Sequence, residues 1–562
     1  MNQVSLPYEE PDIKVILILS SFLLILNIIG KALDNVIYCG LLGQIFIGVA
    51  WGVPGGGWLS LSTQESVVKF GYLGLILLVY EGGLSTDFYA MKSHFFRSVF
   101  LALTGIIAPI GLSFVLMKLA HADALQSFAA GASLCSTSLG TTLTVLKVSG
   151  LKQSRLGVVL TCAAMLDDVV GLVMAQIISN LGSGHSSFSA IIVVRPILVS
   201  IAFAVVVPLV CKFLVEPFAV KRLSYLLANY RFLPNKMQIT FLTHTLVLVG
   251  FVVGSSYAGT SNLYAAYLAG ASIGWYDSEV RKSFESTKCT TMVFIEKINN
   301  ENDSSVGRER TERSSASPRN SESYNNSPIN GSSLKLPKRP PFAALKHVKA
   351  ILGHKYYTEG NTVSVQNNFG KSITSPEPNV MIESPHIEHV SGLDIWDNYY
   401  ETPVLTVLRP FFFASIGFSI PIKDMFRGSI IWRGVIYAIL MTVGKFICGA
   451  WLIRSTCFKS FKNEPEYACT FWSIRRARSF ISPSIMGWAM VARGEIGFLI
   501  AALADSRDIF TSEQFLIVTW AIVICTIVGP IMVGWLTSKV RKIRQSEELD
   551  SGENGDPMEI WA

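Results

Sequence analysis

The chain has 562 residues, 50% of them hydrophobic and only 15% charged, with a mean hydropathy of +0.43. That composition excludes a soluble multidomain enzyme and marks an integral membrane protein. The net charge of +7 fits Lys- and Arg-rich cytosolic loops, and nucleic-acid binding is set aside. The nine cysteines are scattered without a C-x-x-C pair. Cys135, Cys162, Cys211, Cys448 and Cys525 lie in apolar stretches and read as packing residues, not as a disulfide frame or metal site.

In chain order, Met1–Ser5 lacks a basic n-region and is followed by Glu9, Glu10 and Asp12. The first apolar run is therefore expected to be a retained membrane helix and not a signal peptide. Apolar cores long enough to span a bilayer, or nearly so, follow at Val15–Ile29, Tyr38–Val53, Phe70–Tyr80, Val99–Leu116, Ser127–Val145, Leu156–Ile178 and Pro196–Leu214. More lie at Phe241–Gly254, Leu263–Ile273, Val404–Ile420, Val435–Ile453, Ile481–Ala504 and Phe515–Leu536. The expected class is an all-α polytopic membrane protein of about thirteen transmembrane helices. Nine fall within 1–276 and four within 401–540, with a tail over 541–562.

Basic loops alternate with Lys-poor ones. Lys92 and Arg97, Lys147, Lys152 and Arg155, then Lys221, Arg222, Arg231 and Lys236 lie on one side. Arg475, Arg476 and Arg478, and Lys539, Arg541, Lys542 and Arg544, fall on the same side. The positive-inside rule places the N-terminus outside and the C-terminus in the cytosol. The stretch 277–400 is polar and reads as a cytosolic, largely disordered loop. Within Asn299–Ser333, the run Arg308-Glu309-Arg310-Thr311-Glu312-Arg313-Ser314-Ser315 sets hydroxyls after basic residues. That fits a kinase target or a passive linker.

Several residues inside the spans carry chemistry. Ser133-Leu134-Cys135-Ser136-Thr137-Ser138-Leu139-Gly140-Thr141-Thr142 is rich in poor helix formers. It reads either as a mid-membrane break exposing oxygen ligands for a cation, or as close packing by small residues. Asp167 and Asp168 sit side by side in an apolar run. Each costs roughly 2.5–3.5 kcal/mol at a membrane centre, and they point about 100° apart on a helix. Such a carboxylate can hold a proton or a hard cation but not both, which couples the two fluxes. Lys445 is a natural counter-ion for one of them. Arg493 and Glu495 read as a structural ion pair, with each other or across a second broken helix loosened by Gly494 and Gly497. Glu81 reads as interfacial, and His244 as a core histidine or a proton relay. Arg195 and Arg409 read as snorkelling near the boundaries.

Together these residues resemble the monovalent cation:proton antiporter-2 family, including the bacterial sodium/proton antiporters with an Asp-Asp pair. The resemblance rests on Thr137-Ser138, on Leu166 to Leu172 around the aspartates, and on Pro410-Phe411-Phe412-Phe413-Ala414-Ser415-Ile416-Gly417. Gly444-Lys445 and Arg493-Gly494-Glu495 complete it. It implies an inverted-repeat fold with two discontinuous crossing helices, a homodimer, and elevator-like movement of a core part. It further implies Asp168 as principal carrier of Na⁺ or H⁺, Asp167 paired with Lys445, and Thr137 and Ser138 as ligand-side oxygens. The Asp-Asp pair goes with electrogenic exchange. The long polar loop departs from compact bacterial members, and no Gly-x-Gly-x-x-Gly follows the last span.

The function expected is secondary antiport of Na⁺ or Li⁺ against H⁺ by alternating access, without cofactor and not as an enzyme. It would serve pH homeostasis, in the plasma membrane in preference to an internal one. K⁺/H⁺ antiport is the nearest alternative. Further off stand a cation channel, or a sensor on a transporter fold.

Overall fold

A computed structural model describes residues 10–138, 140, 155–181, 190–223, 236–283, 356–359, 362–365, 390–452 and 481–550. The second half of the fifth predicted span and the Asn299–Ser333 segment with its kinase-like run lie outside these residues. The chain divides into two compact units. The first comprises Met1–Leu209, Met237–Trp275 and Ser391–Ala562, and the second Val210–Lys236 and Tyr276–Val390.

Helices are the regular elements of the first unit's described residues. In order come α1 (Ile13–Ile37), α2 (Gly40–Trp51), α3 (Leu61–Leu84), α4 (Phe88–Ser113), α5 (Ala124–Ser133), α6 (Arg155–Leu181), α7 (Ala190–Val210), α8 (Lys236–Ala258) and α9 (262–283). After the polar loop follow α10 (Arg409–Phe418), α11 (Gly428–Phe446), α12 (Ile481–Val491), α13 (Glu495–Ser506) and α14 (Ser512–Asp550). Each predicted span has a helical counterpart. Nine candidate spans among the described residues are long and apolar enough to cross a membrane. The best-exposed windows, in α7 and α8, are only 11% buried. Helices so apolar and so little covered are stable in lipid, where every backbone group must be bonded within the segment. The chain is an integral, multi-pass membrane protein.

Local chemistry sets the ends. Asp12 caps α1, its carboxylate accepting from the Lys14 amide at 3.3 Å. Ser60 caps α3 through the Thr63 amide. Asp123 and Gln126 form a capping box at the start of α5. The third predicted span proves longer than its apolar core, since α3 reaches from Leu61 to Leu84 and takes Glu81 into its last turn.

The loop boundaries differ from the expected 277 and 400. Helix α9 runs on to 283, and a further short helix opens at Gly392. Asp277, Glu279, Arg281 and Lys282 disguise the first, where Glu279 and Lys282 pair one turn apart at 3.7 Å. A capping box of Ser391 and Asp394 starts the second. Within the second unit, β1 (Tyr356–Glu359) and β2 (Thr362–Val365) form an antiparallel hairpin, with Tyr356 opposite Val365.

The main apolar core draws on α2, α5, α6, α10, α11, α13 and α14. A second cluster joins α4, α6 and α12 through Leu101, Leu160, Met486 and Met490. Both flank the polar locus at the centre of the first unit. All five cysteines expected to be packing residues are buried and free.

Candidate ion-binding site

Two helices stop inside the protein. Helix α5 ends at Ser133, and 134–138 continue as irregular backbone. Between α12 and α13, Ala492-Arg493-Gly494 leave the helix. Both breaks follow from residues that favour non-helical backbone: hydroxyls that compete for its hydrogen bonds in one, glycine in the other.

A helix that ends inside a protein leaves carbonyls and amides to be satisfied. Here the two breaks satisfy each other. The Ser138 amide donates to the Ala492 carbonyl at 2.9 Å. Arg493 Nη1 donates to the carbonyls of Ser136 at 3.1 Å and Met490 at 3.3 Å. Thr137 Oγ1 also lies 3.3 Å from the Met490 carbonyl. The backbones can meet because side chains are missing at two points. A β-carbon on Gly494 would stand 2.7 Å from Ser138 Oγ. One on Gly171 would stand 2.9 Å from Ile496 Cγ2 and 3.1 Å from Ser136 Cβ.

Helix α6 brings the aspartates to this crossing. Asp167 is fully buried, and its Oδ2 accepts from Lys445 Nζ at 2.5 Å and from Thr137 Oγ1 at 2.9 Å. Lys445, also fully buried on α11, donates to Thr137 Oγ1 at 2.9 Å as well. The three side chains close a triangle that occupies the ammonium and one carboxylate oxygen. Asp168, one residue on, takes a different direction. Its Oδ1 accepts from Ser136 Oγ at 2.9 Å, and its side chain is only partly buried. Lys445 fits because Gly105 on α4 leaves room, a β-carbon there standing 3.1 Å from Nζ.

The structure therefore brings Thr137, Asp167, Asp168 and Lys445 together as the sequence suggested. Ser138 joins the crossing through its amide and is buried. Ser136 was missed as the partner of Asp168, although it lies in the same hydroxyl-rich run. The Arg493–Glu495 ion pair is not formed. Arg493 is fully buried and bonded to carbonyls, and no ion pair involves Glu495 among the described residues. The cause is the break itself. Arg493 stands in it, whereas Glu495 is the first residue of α13, so the helical spacing that would join them does not exist. His244 is buried in α8, Arg195 is exposed on α7, and Arg409 lies over the Phe413 ring at 5.9 Å.

Over residues 18–296 and 389–539 the chain matches the family described as "Sodium/hydrogen exchanger, transmembrane". It belongs to the sodium/hydrogen exchanger family. The two matched stretches of the chain hold both breaks, both aspartates and Lys445. A Na⁺/H⁺ antiporter of Enterococcus hirae is 26% identical over 146 residues, 26% of this chain and 38% of that protein. The probable Na⁺/H⁺ antiporter GerT of Bacillus cereus is 28% identical over 257 residues, 43% of this chain and 62% of its own. The Na⁺/H⁺-K⁺ antiporter GerN of Bacillus cereus is 25% identical over 247 residues, 43% of this chain and 60% of its own. The chain thus spans between 38% and 62% of the length of these curated relatives.

Proposed function

We propose that the chain is a secondary antiporter that exchanges Na⁺, or Li⁺, for H⁺ by alternating access. One observation carries this reading. Lys445 and Thr137 hold Asp167, while Asp168 keeps a single hydroxyl partner among the described residues, and partial exposure, beside a break between helices. A carboxylate in that position takes a proton or a hard cation in turn, and oxygen ligands suit such cations. Asp168 is the carrier, with Ser136 beside it. Asp167 is the fixed negative charge, Thr137 its hydroxyl, and Ser138 a further oxygen at the crossing. The names of the relatives support Na⁺ and H⁺ as the exchanged ions. Electrogenic exchange, a homodimer, a plasma-membrane location with cytosolic C-terminus, and kinase action on Asn299–Ser333 complete the reading.

The test is reconstitution in vesicles with an acid interior and a trapped pH dye. Adding Na⁺ outside should raise the lumenal pH, and Asp168→Asn should abolish the response. Asp168→Asn exchanging like wild type would remove the site assignment. A channel would pass Na⁺ with no proton flux. The name of GerN favours a second reading in which K⁺ is also carried. Running Na⁺, Li⁺, K⁺ and Rb⁺ in one preparation decides between them.

A further inference from the structure

Glu495 has lost the partner the sequence offered it. Arg493 turns to the Ser136 and Met490 carbonyls, and Glu495 has no side-chain hydrogen bond or ion pair among the described residues. Its place is nonetheless fixed. Gly494 before it lies against Ser138, and Ile496 after it packs where a β-carbon on Gly171 would be. Gly171 is three residues beyond Asp168 on α6, one turn along the same face. Ser136, the hydrogen-bond donor to Asp168, borders that same point. Glu495 and Asp168 are both partly exposed, unlike Asp167, Lys445 and Arg493. The charges of Glu495 and Asp168 are close enough to act on each other.

We propose that Glu495 is a second carboxylate of the ion site, sharing the transported cation and the proton load with Asp168. The proposal rests on the antiport reading above. The charges explain why a second carboxylate is needed. Asp167 and Lys445 cancel as a buried pair. Arg493 offsets one of the two remaining carboxylates, which leaves one negative charge. A single monovalent cation then makes the locus neutral, the condition a low-dielectric interior favours, while at lower pH two protons, one on each carboxylate, take its place and leave the Arg493 charge with the Ser136 and Met490 carbonyls. With Glu495 neutralised, the empty locus is already neutral, and a bound cation leaves a surplus positive charge. Two other titratable groups face these carboxylates. Tyr267 on α9, bonded to Thr86 Oγ1 at 3.1 Å, senses Asp168. Glu81 on α3 senses Glu495, but Arg409 is the charge that acts on it most.

The experiment measures the apparent Na⁺ KM of Glu495→Gln in proteoliposomes across a range of pH. The KM should rise about tenfold or more at alkaline pH, equivalent to about 1.4 kcal/mol. The dependence of log KM on pH should fall from about two decades per pH unit toward about one, because one of two coupled proton sites is gone. A merely structural residue would not change that steepness. Wild-type KM and steepness in Glu495→Gln overturn this proposal alone. No exchange by the wild type overturns the antiport reading and this one with it. Should Glu495→Gln fail to fold, Glu495→Asp carries the test. It should raise KM while keeping the steepness, and an unchanged KM overturns the proposal.

Discussion

Gly105 offers a direct measure of how tightly the buried ion pair is held. In Gly105→Ala the new β-carbon stands 3.1 Å from Lys445 Nζ, 3.3 Å from Cys448 Sγ and 3.4 Å from Met490 Cε. The sulfur and the methyl can yield by a few tenths of an ångström. The ammonium is pinned, at 2.5 Å from Asp167 and 2.9 Å from Thr137. Moving it about 0.5 Å away from Asp167, at an effective dielectric near 20, forfeits about 1 kcal/mol of attraction. Replacing glycine by alanine inside a helix returns about 1 kcal/mol. The single mutant is therefore expected to be close to wild type in stability. In a Lys445→Met background, where nothing pins the side-chain tip, the same substitution should stabilise by about 1 kcal/mol. The assay is thermal or denaturant unfolding of the four detergent-purified proteins, arranged as a double-mutant cycle. An identical effect of Gly105→Ala in both backgrounds would refute the claim that Gly105 exists to seat the ammonium.

Thr137→Ala removes a hydroxyl shared by Asp167 and Lys445. Unfolding measurements should show a loss of about 1–3 kcal/mol, while Ser136→Ala, which removes the hydroxyl bonded to the partly exposed Asp168, should chiefly weaken Na⁺ dependence in the vesicle assay. Arg493→Lys keeps the charge, but its ammonium sits on a side chain one atom shorter than the one whose Nη1 alone donates to both carbonyls, and it is a more strongly hydrated group to bury. It should lower the unfolding temperature more than Arg427→Lys, whose guanidinium is 68% exposed in a surface pair with Asp424.

Much of the architecture was legible because apolar length alone marks a membrane span. The chemistry of the aspartates was legible too, since no apolar helix carries two adjacent carboxylates without use for them. Three things were hidden. The ends of the polar loop were masked because charged residues such as Glu279 and Lys282 form helix as readily as loop. The partner of Asp168 within Ser136-Thr137-Ser138 was not singled out, because irregular backbone follows no fixed period. There Thr137 turns to Asp167 and Ser136 to Asp168, and Ser138 spends its amide on Ala492. Arg493 and Glu495 looked like a pair because opposite charges stand two apart in the chain. The true partners of Arg493 are carbonyls, one of them 357 positions away, that no side-chain pattern announces.

The stitching of the two interrupted helices also bears on how the protein is made. Thr137 reaches a carbonyl 353 positions further along the chain. At about 5–20 residues per second, that partner leaves the ribosome roughly 20–70 s later. Until then the first interruption presents unbonded peptide groups, each costing several kcal/mol if pushed into hydrocarbon. The early half of the molecule must wait in a wet or chaperoned setting, and its final seating in the bilayer belongs to the end of synthesis.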